Sequence, residues 1–122
     1  MMTNQTSAQF EMMQRSSVGY MSSTAAQHDQ IVNWAITSDR ATLGKIFCEL
    51  SNLDLRAQLG KVECPALVLL EAPFAPMESV IAKQYEKLEN AQLTFAPSGL
   101  HFVMYDAPEW YAEQLAIYFS EK

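Results

Sequence analysis

The spacing of apolar residues divides the chain into two stretches of different character. Up to residue 53 apolar positions recur at helical intervals; from residue 54 they gather into short runs punctuated by proline and glycine. Residues 6–21 hold few helix breakers apart from Gly19, and Phe10, Met13 and Met21 give a loosely amphipathic helix. Ser22-Ser23-Thr24 interrupts it and offers an N-cap. A second helix follows over Ala25–Ile36, with Ile31, Val32, Ala35 and Ile36 as its partial stripe. Asp39 caps a third, in which Leu43, Ile46, Phe47 and Leu50 stand at the i, i+3, i+4, i+7 spacing.

Beyond this, Asp54–Leu59 reads as one or two helical turns, with Gly60 as the stop and Pro65 excluding continuation. Ala66-Leu67-Val68-Leu69-Leu70 is an unbroken apolar run. It is too short for a helix and fits a strand buried on both faces of a parallel sheet. Pro73 and Pro76 mark a loop, Met77–Leu88 a helix with Ile81, Tyr85 and Leu88 on one face, and Leu93 and Phe95 alternate with Gln92 and Thr94 as a half-buried second strand. Strand, helix, strand is a parallel crossover unit of right-handed sense. The final helix is expected to start at Asp106, capped through Glu109, and to bury Tyr111, Leu115, Tyr118 and Phe119.

The fold class is therefore α/β: a helical segment over 1–53, then a parallel βαβ unit and a C-terminal helix over 54–122. Two parallel strands make no independent sheet. Further strands are expected from a partner chain or from polypeptide preceding Met1 in a longer parent, and the open sheet edge also invites self-association.

Composition narrows the function classes. The net charge is −6, and its Lys and Arg residues are scattered singly, which argues against a nucleic-acid partner. No apolar run approaches the roughly 20 residues of a membrane helix, and Met1-Met2-Thr3-Asn4-Gln5 lacks the basic and apolar regions of a leader, so a cytoplasmic location is expected. Cys48 and Cys64 fall in different elements without metal-ligand spacing, as buried thiols of a reducing compartment; no metal and no cofactor is implied. Met12, Met13, Met21 and Met77 are expected to fill core, Trp34 and Trp110 to anchor packing, and His28 to lie on a helix surface.

Chemistry concentrates in one place. Pro97-Ser98-Gly99-Leu100-His101-Phe102 puts a histidine on the loop between the second strand and the last helix, where α/β enzymes present a catalytic base. Asp54-Leu55-Arg56 with Leu59, then Val62-Glu63-Cys64-Pro65 leading into Ala66–Leu70, then Gly99-Leu100-His101-Phe102 and Asp106-Ala107-Pro108-Glu109-Trp110 follow one another in an order that resembles the C-terminal part of the α/β-hydrolase fold. The resemblance covers roughly 70 residues. It implies that His101 is the general base of an enzyme cleaving an ester or related acyl bond of a small molecule, and that residues 1–53 hold the position of the lid.

Two departures bear on that expectation. The chain contains no Gly-x-Ser-x-Gly elbow, so the nucleophile is expected outside it. Phe74 stands where the family's acid usually follows the first of these strands; Glu71 is the leading candidate acid and Glu78 the next. The alternative is a non-catalytic interaction module that keeps part of the hydrolase shape.

Overall fold

The structure is a computed structural model that describes residues 5–120, so the leader reading on Met1–Asn4 lies outside the described residues. The chain forms two compact units, Met1–Leu53 and Asp54–Lys122. It is mixed α/β, and among the described residues no helix is long and apolar enough to cross a membrane.

The first unit contains α1 (Ser7–Ser17), α2 (Ala25–Thr37) and α3 (Arg40–Leu50). Thr6 and Gln9 close a capping box at the start of α1: the Gln9 N–H donates to the Thr6 hydroxyl (3.2 Å) and the Thr6 N–H to the Gln9 side chain (2.9 Å). A 3₁₀ turn, Val18–Tyr20, carries the chain from α1 to α2, and α1 packs on α2 through Phe10, Val18, Ile31 and Val32, all buried. Ser22 is fully buried in the connection, its hydroxyl accepting from the Thr24 N–H (3.1 Å).

His28 is not the surface residue the sequence suggests. Its half-buried imidazole lies one turn into α2, and Nε2 donates to the Ser22 carbonyl (2.8 Å), which fixes the tautomer and closes the α1–α2 turn. Asp39 does cap α3, accepting from the Thr42 N–H (2.8 Å) and the Thr42 hydroxyl (2.7 Å), and these bonds hold its carboxyl below the ordinary range. Arg40 ties α3 back to the start of α1: its guanidinium donates to the Gln5 carbonyl (2.8 Å) and the Ser7 hydroxyl (2.7 Å) and lies 5.1 Å over the Phe10 ring.

The helical stripe of α3 exists, but it is not buried. Phe47 is 54% exposed, and Ile46 and Leu50 are likewise exposed. Trp34 is exposed too, because Ile31 and Val32 take the face of α2 that meets α1. Cys48, off the α3 stripe, and Cys64, in the extended link before Pro65, are exposed free thiols rather than buried ones. Of the methionines expected in the core, Met12 and Met77 are exposed and Met13 and Met21 half-buried.

The second unit opens with Asp54, whose carboxylate grips Arg56 through Nε (2.8 Å) and Nη2 (2.6 Å) and also accepts from the Arg56 N–H (3.1 Å). Hydrogen bonding to Arg56 pulls the Asp54 carboxyl down to about 2. A 3₁₀ stretch, Arg56–Lys61, follows and runs through Gly60 instead of stopping there. Strand β1 (Ala66–Leu70) pairs in parallel with β2 (Ala91–Phe95), Ala66 opposite Ala91 and Leu70 opposite Phe95. Between them lie a 3₁₀ turn, Ala72–Met77, which holds Pro73 and Pro76, and α4 (Glu78–Gln84), shorter than the expected helix because Tyr85 ends it in a non-helical conformation. Leu88, Ala96 and Val103 are buried; every residue of β1 is only half-buried.

The chain ends with α5 (Val103–Asp106) and α6 (Pro108–Ser120). Here the sequence expectation fails in a definite way. Asp106 is not the cap of the last helix, because bonds from Tyr105 and Asp106 N–H to the Phe102 carbonyl, and from Ala107 N–H to Val103, already close a helical turn before Pro108 begins α6. Tyr111, Leu115 and Tyr118 are half-buried, and Phe119 is 68% exposed.

Candidate functional site

The carboxyl ends of β1 and β2 lie side by side, the position at which open parallel sheets bind ligands. Two loops leave this edge. The Ala96 N–H donates to the Leu70 carbonyl (2.8 Å), extending the pairing past β2, and the Ala72 N–H donates to the Gly99 carbonyl (3.3 Å), so the loop after β1 and the histidine loop are joined through their backbones.

Gly99 adopts φ +94°, a conformation that side chains avoid. The turn aims the Leu100 N–H at the Asp106 carboxylate, which accepts it through Oδ2 (2.8 Å). Asp106 packs so closely that a Cβ on residue 99 would lie 2.6 Å from the Asp106 Cβ. Glycine and aspartate thus clamp the segment on which His101 stands.

His101 is exposed. Its ring meets Phe102 edge-on, with centroids 5.3 Å apart and planes at 85°, and among the described residues no side chain or carbonyl is hydrogen-bonded to the imidazole. Both ring nitrogens therefore lack a hydrogen-bond partner among the described residues. Glu71 directly follows β1 and is half-buried, accepting the Phe74 N–H at its carbonyl (3.1 Å). The Ala72–Gly99 bond brings its loop to the His101 loop, but no hydrogen bond joins the Glu71 carboxylate to the imidazole. Glu78 is exposed at the first position of α4, and Phe74 is 40% exposed in the intervening 3₁₀ turn.

The element that sequence reasoning missed is Asp106 as the clamp of the histidine loop. The signal was present as a glycine and an aspartate seven residues apart around the histidine, but the same aspartate, three residues before Glu109, also fits a helix cap. Among the described residues no group of three or more His, Cys, Asp or Glu side chains comes together as a metal site.

Among the described residues of this unit two concavities stand out. A polar cleft of about 300 Å³ is lined by Asp54, Arg56, Lys83, Gln84, Glu86 and Lys87. A groove of about 420 Å³ lies between β1 and α6, walled by Leu67, Leu69, Tyr111, Leu115, Tyr118 and Phe119. In comparisons with known proteins no family model matches this chain, and neither a curated protein nor a solved structure does.

Proposed function

We propose that residues 54–122 are the closing part of an α/β-hydrolase core whose parent cleaves an ester or related acyl bond of a small molecule. His101 is the general base, and the nucleophile belongs to polypeptide outside this chain. What supports the proposal most is the placement of a clamped, solvent-open histidine directly after the second of two parallel strands, at the carboxyl edge of the sheet. His101 would take the proton of the attacking hydroxyl and return it to the leaving group. Glu71, on the loop bonded to the histidine loop, is the acid we assign to hold the imidazole tautomer. The helices of the first unit hold the lid position in chain order. The acidic chain fits neither nucleic acid nor an anionic membrane surface, and its free thiols fit the cytoplasm.

Two observations favour a second reading, a non-catalytic interaction module: Phe74, partly exposed, stands at the usual place of the acid, and among the described residues no carboxylate is hydrogen-bonded to the imidazole. An ester assay bears on the first reading. Purified chain is expected to hydrolyse a simple activated ester no faster than its His101→Ala variant. Turnover well above that variant would place a nucleophile within these residues and overturn the assignment.

A further inference from the structure

The polar cleft of the second unit lies at the other end of the sheet from His101. Its walls are the segments that lead into the two strands, residues 54–57 ahead of β1 and 83–87 ahead of β2. The Ala66 N–H donates to the Asn90 carbonyl (3.0 Å), which ties the two lead-ins together at the amino ends of the strands. Packing fixes them further. Leu88 is buried behind the turn that carries Lys87, and a Cβ on Gly60 would meet the Lys87 carbonyl oxygen at 3.5 Å, ordinary van der Waals contact.

Positive charge gathers in this cleft. The chain carries −6 overall and its eight lysine and arginine residues stand singly in sequence, yet Arg56, Lys83 and Lys87 all line the same cavity. Arg56 is oriented from two sides: Asp54 accepts from Nε (2.8 Å) and Nη2 (2.6 Å), and Gln84 accepts from Nη1 (3.1 Å). A guanidinium has more N–H donors than these bonds use. One on Nη1 and one on Nη2 have no partner among the described residues, and the Arg56 side chain stays 60% exposed. Neighbouring nitrogens thus hold spare donors at a fixed orientation. Lys83 and Lys87 form no ion pair among the described residues, although Glu86 stands between them in sequence.

We propose that this cleft binds a phosphate group, with Arg56 donating to two of its oxygens and Lys83 and Lys87 balancing its charge. A phosphate group brings about −1.5 to −2 charges and three strong acceptor oxygens, which suits a fixed guanidinium beside two ammonium groups. A carboxylate, with one charge and two oxygens, would leave the lysines unbalanced. The volume of about 300 Å³ is at the small end of ligand sites. Asp54, its carboxyl held at about 2 by its bonds to Arg56, stays ionised through the neutral range and keeps the guanidinium in place. The cleft is separate from the His101 edge, so this binding goes beyond the hydrolase reading and does not depend on it.

Titration of the whole 13.7 kDa chain, followed by proton–nitrogen NMR at constant ionic strength, tests it. Inorganic phosphate and glycerol phosphate are the probes, and acetate is the comparison. Saturable shifts are expected at the Ala57 and Lys87 amides and at the Gln84 side-chain amide, with a dissociation constant of the order of 1 mM, as befits exposed charge pairs. Arg15 and Lys45, in the helical unit, are expected not to move. Acetate is expected to bind at least about tenfold more weakly. Arg56→Lys keeps the charge but loses the planar donors, and is expected to weaken phosphate binding about tenfold. Lys83→Gln combined with Lys87→Gln, at exposed positions outside the Asp54–Arg56–Gln84 bonds, is expected to weaken it by about as much while leaving the fold intact. Tighter binding of the ester would assign a phosphorylated small molecule as the ligand, and equal or tighter binding of inorganic phosphate the free ion. Shifts that fail to saturate by about ten times the expected constant, that appear equally at Arg15 and Lys45, that acetate reproduces at the same concentration, or that survive both sets of substitutions would overturn the proposal.

Discussion

Replacing Gly99 with alanine is expected to destabilise the 54–122 unit by about 3 kcal/mol. Two costs combine. A side chain at φ +94° forces a residue into a backbone region that only glycine enters freely. The new Cβ would also lie 2.6 Å from the Asp106 Cβ, closer than two carbons can approach, so the histidine loop and α5 must move apart. That movement breaks the 2.8 Å bond from the Leu100 N–H to Asp106 and frees His101 from its present position. Urea unfolding followed by Trp110 fluorescence, in a Trp34→Phe background, measures the loss. A midpoint equal to that of the parent would mean that the loop is not clamped as described. Comparing the double variant Gly99→Ala/Asp106→Gly with Asp106→Gly alone separates the two costs: both lack the aspartate and its bond to Leu100, so their difference is the backbone strain without the clash.

Phe10→Ala is expected to cost the helical unit about 3–5 kcal/mol. Phe10 is 1% exposed and is the largest fully buried side chain among the described residues. Its removal opens a cavity between α1 and α2 and leaves the Arg40 guanidinium without the ring beneath it. A core this small supplies only a few kcal/mol in total, so the variant is expected to lose most of its cooperative transition, read through Trp34 in a Trp110→Phe background. Phe47→Ala, on the exposed stripe of α3, serves as the control and is expected to change stability by less than about 1 kcal/mol. Comparable losses at both positions would mean that the α3 stripe is covered in solution.

The two strands were legible because a five-residue apolar run and a short alternating segment have few other uses between prolines and polar turns. The Asp39 cap was legible for a similarly local reason, since its partner is three residues away. Burial was less legible. The same periodicity that correctly placed α3 also implied a buried face, yet Ile46, Phe47 and Leu50 remain exposed, because periodicity states which residues share a face and not what covers it.

The site divides along the same line. His101, flanked by Gly99 and followed by the last helix, stood out from its neighbours in sequence. The role of Asp106 did not, because an aspartate chooses among nearby N–H groups according to how the loop closes, and the positive φ of Gly99 decides that closure. The approach of the two loops was beyond sequence for a different reason. The Ala72–Gly99 backbone bond brings the loop after β1 beside the histidine loop, a contact between segments 27 residues apart that no local pattern encodes.

The central claim is that His101 serves a nucleophile carried by polypeptide outside these residues. The most direct measurement is the DNA sequence of about 600 bases upstream of the Met1 codon, enough for the roughly 200 residues of a domain-sized segment. An open frame in register is predicted, carrying a strand, a Gly-x-Ser-x-Gly turn and a helix in succession. A stop codon closing that frame ahead of a genuine start at Met1 would contradict the claim.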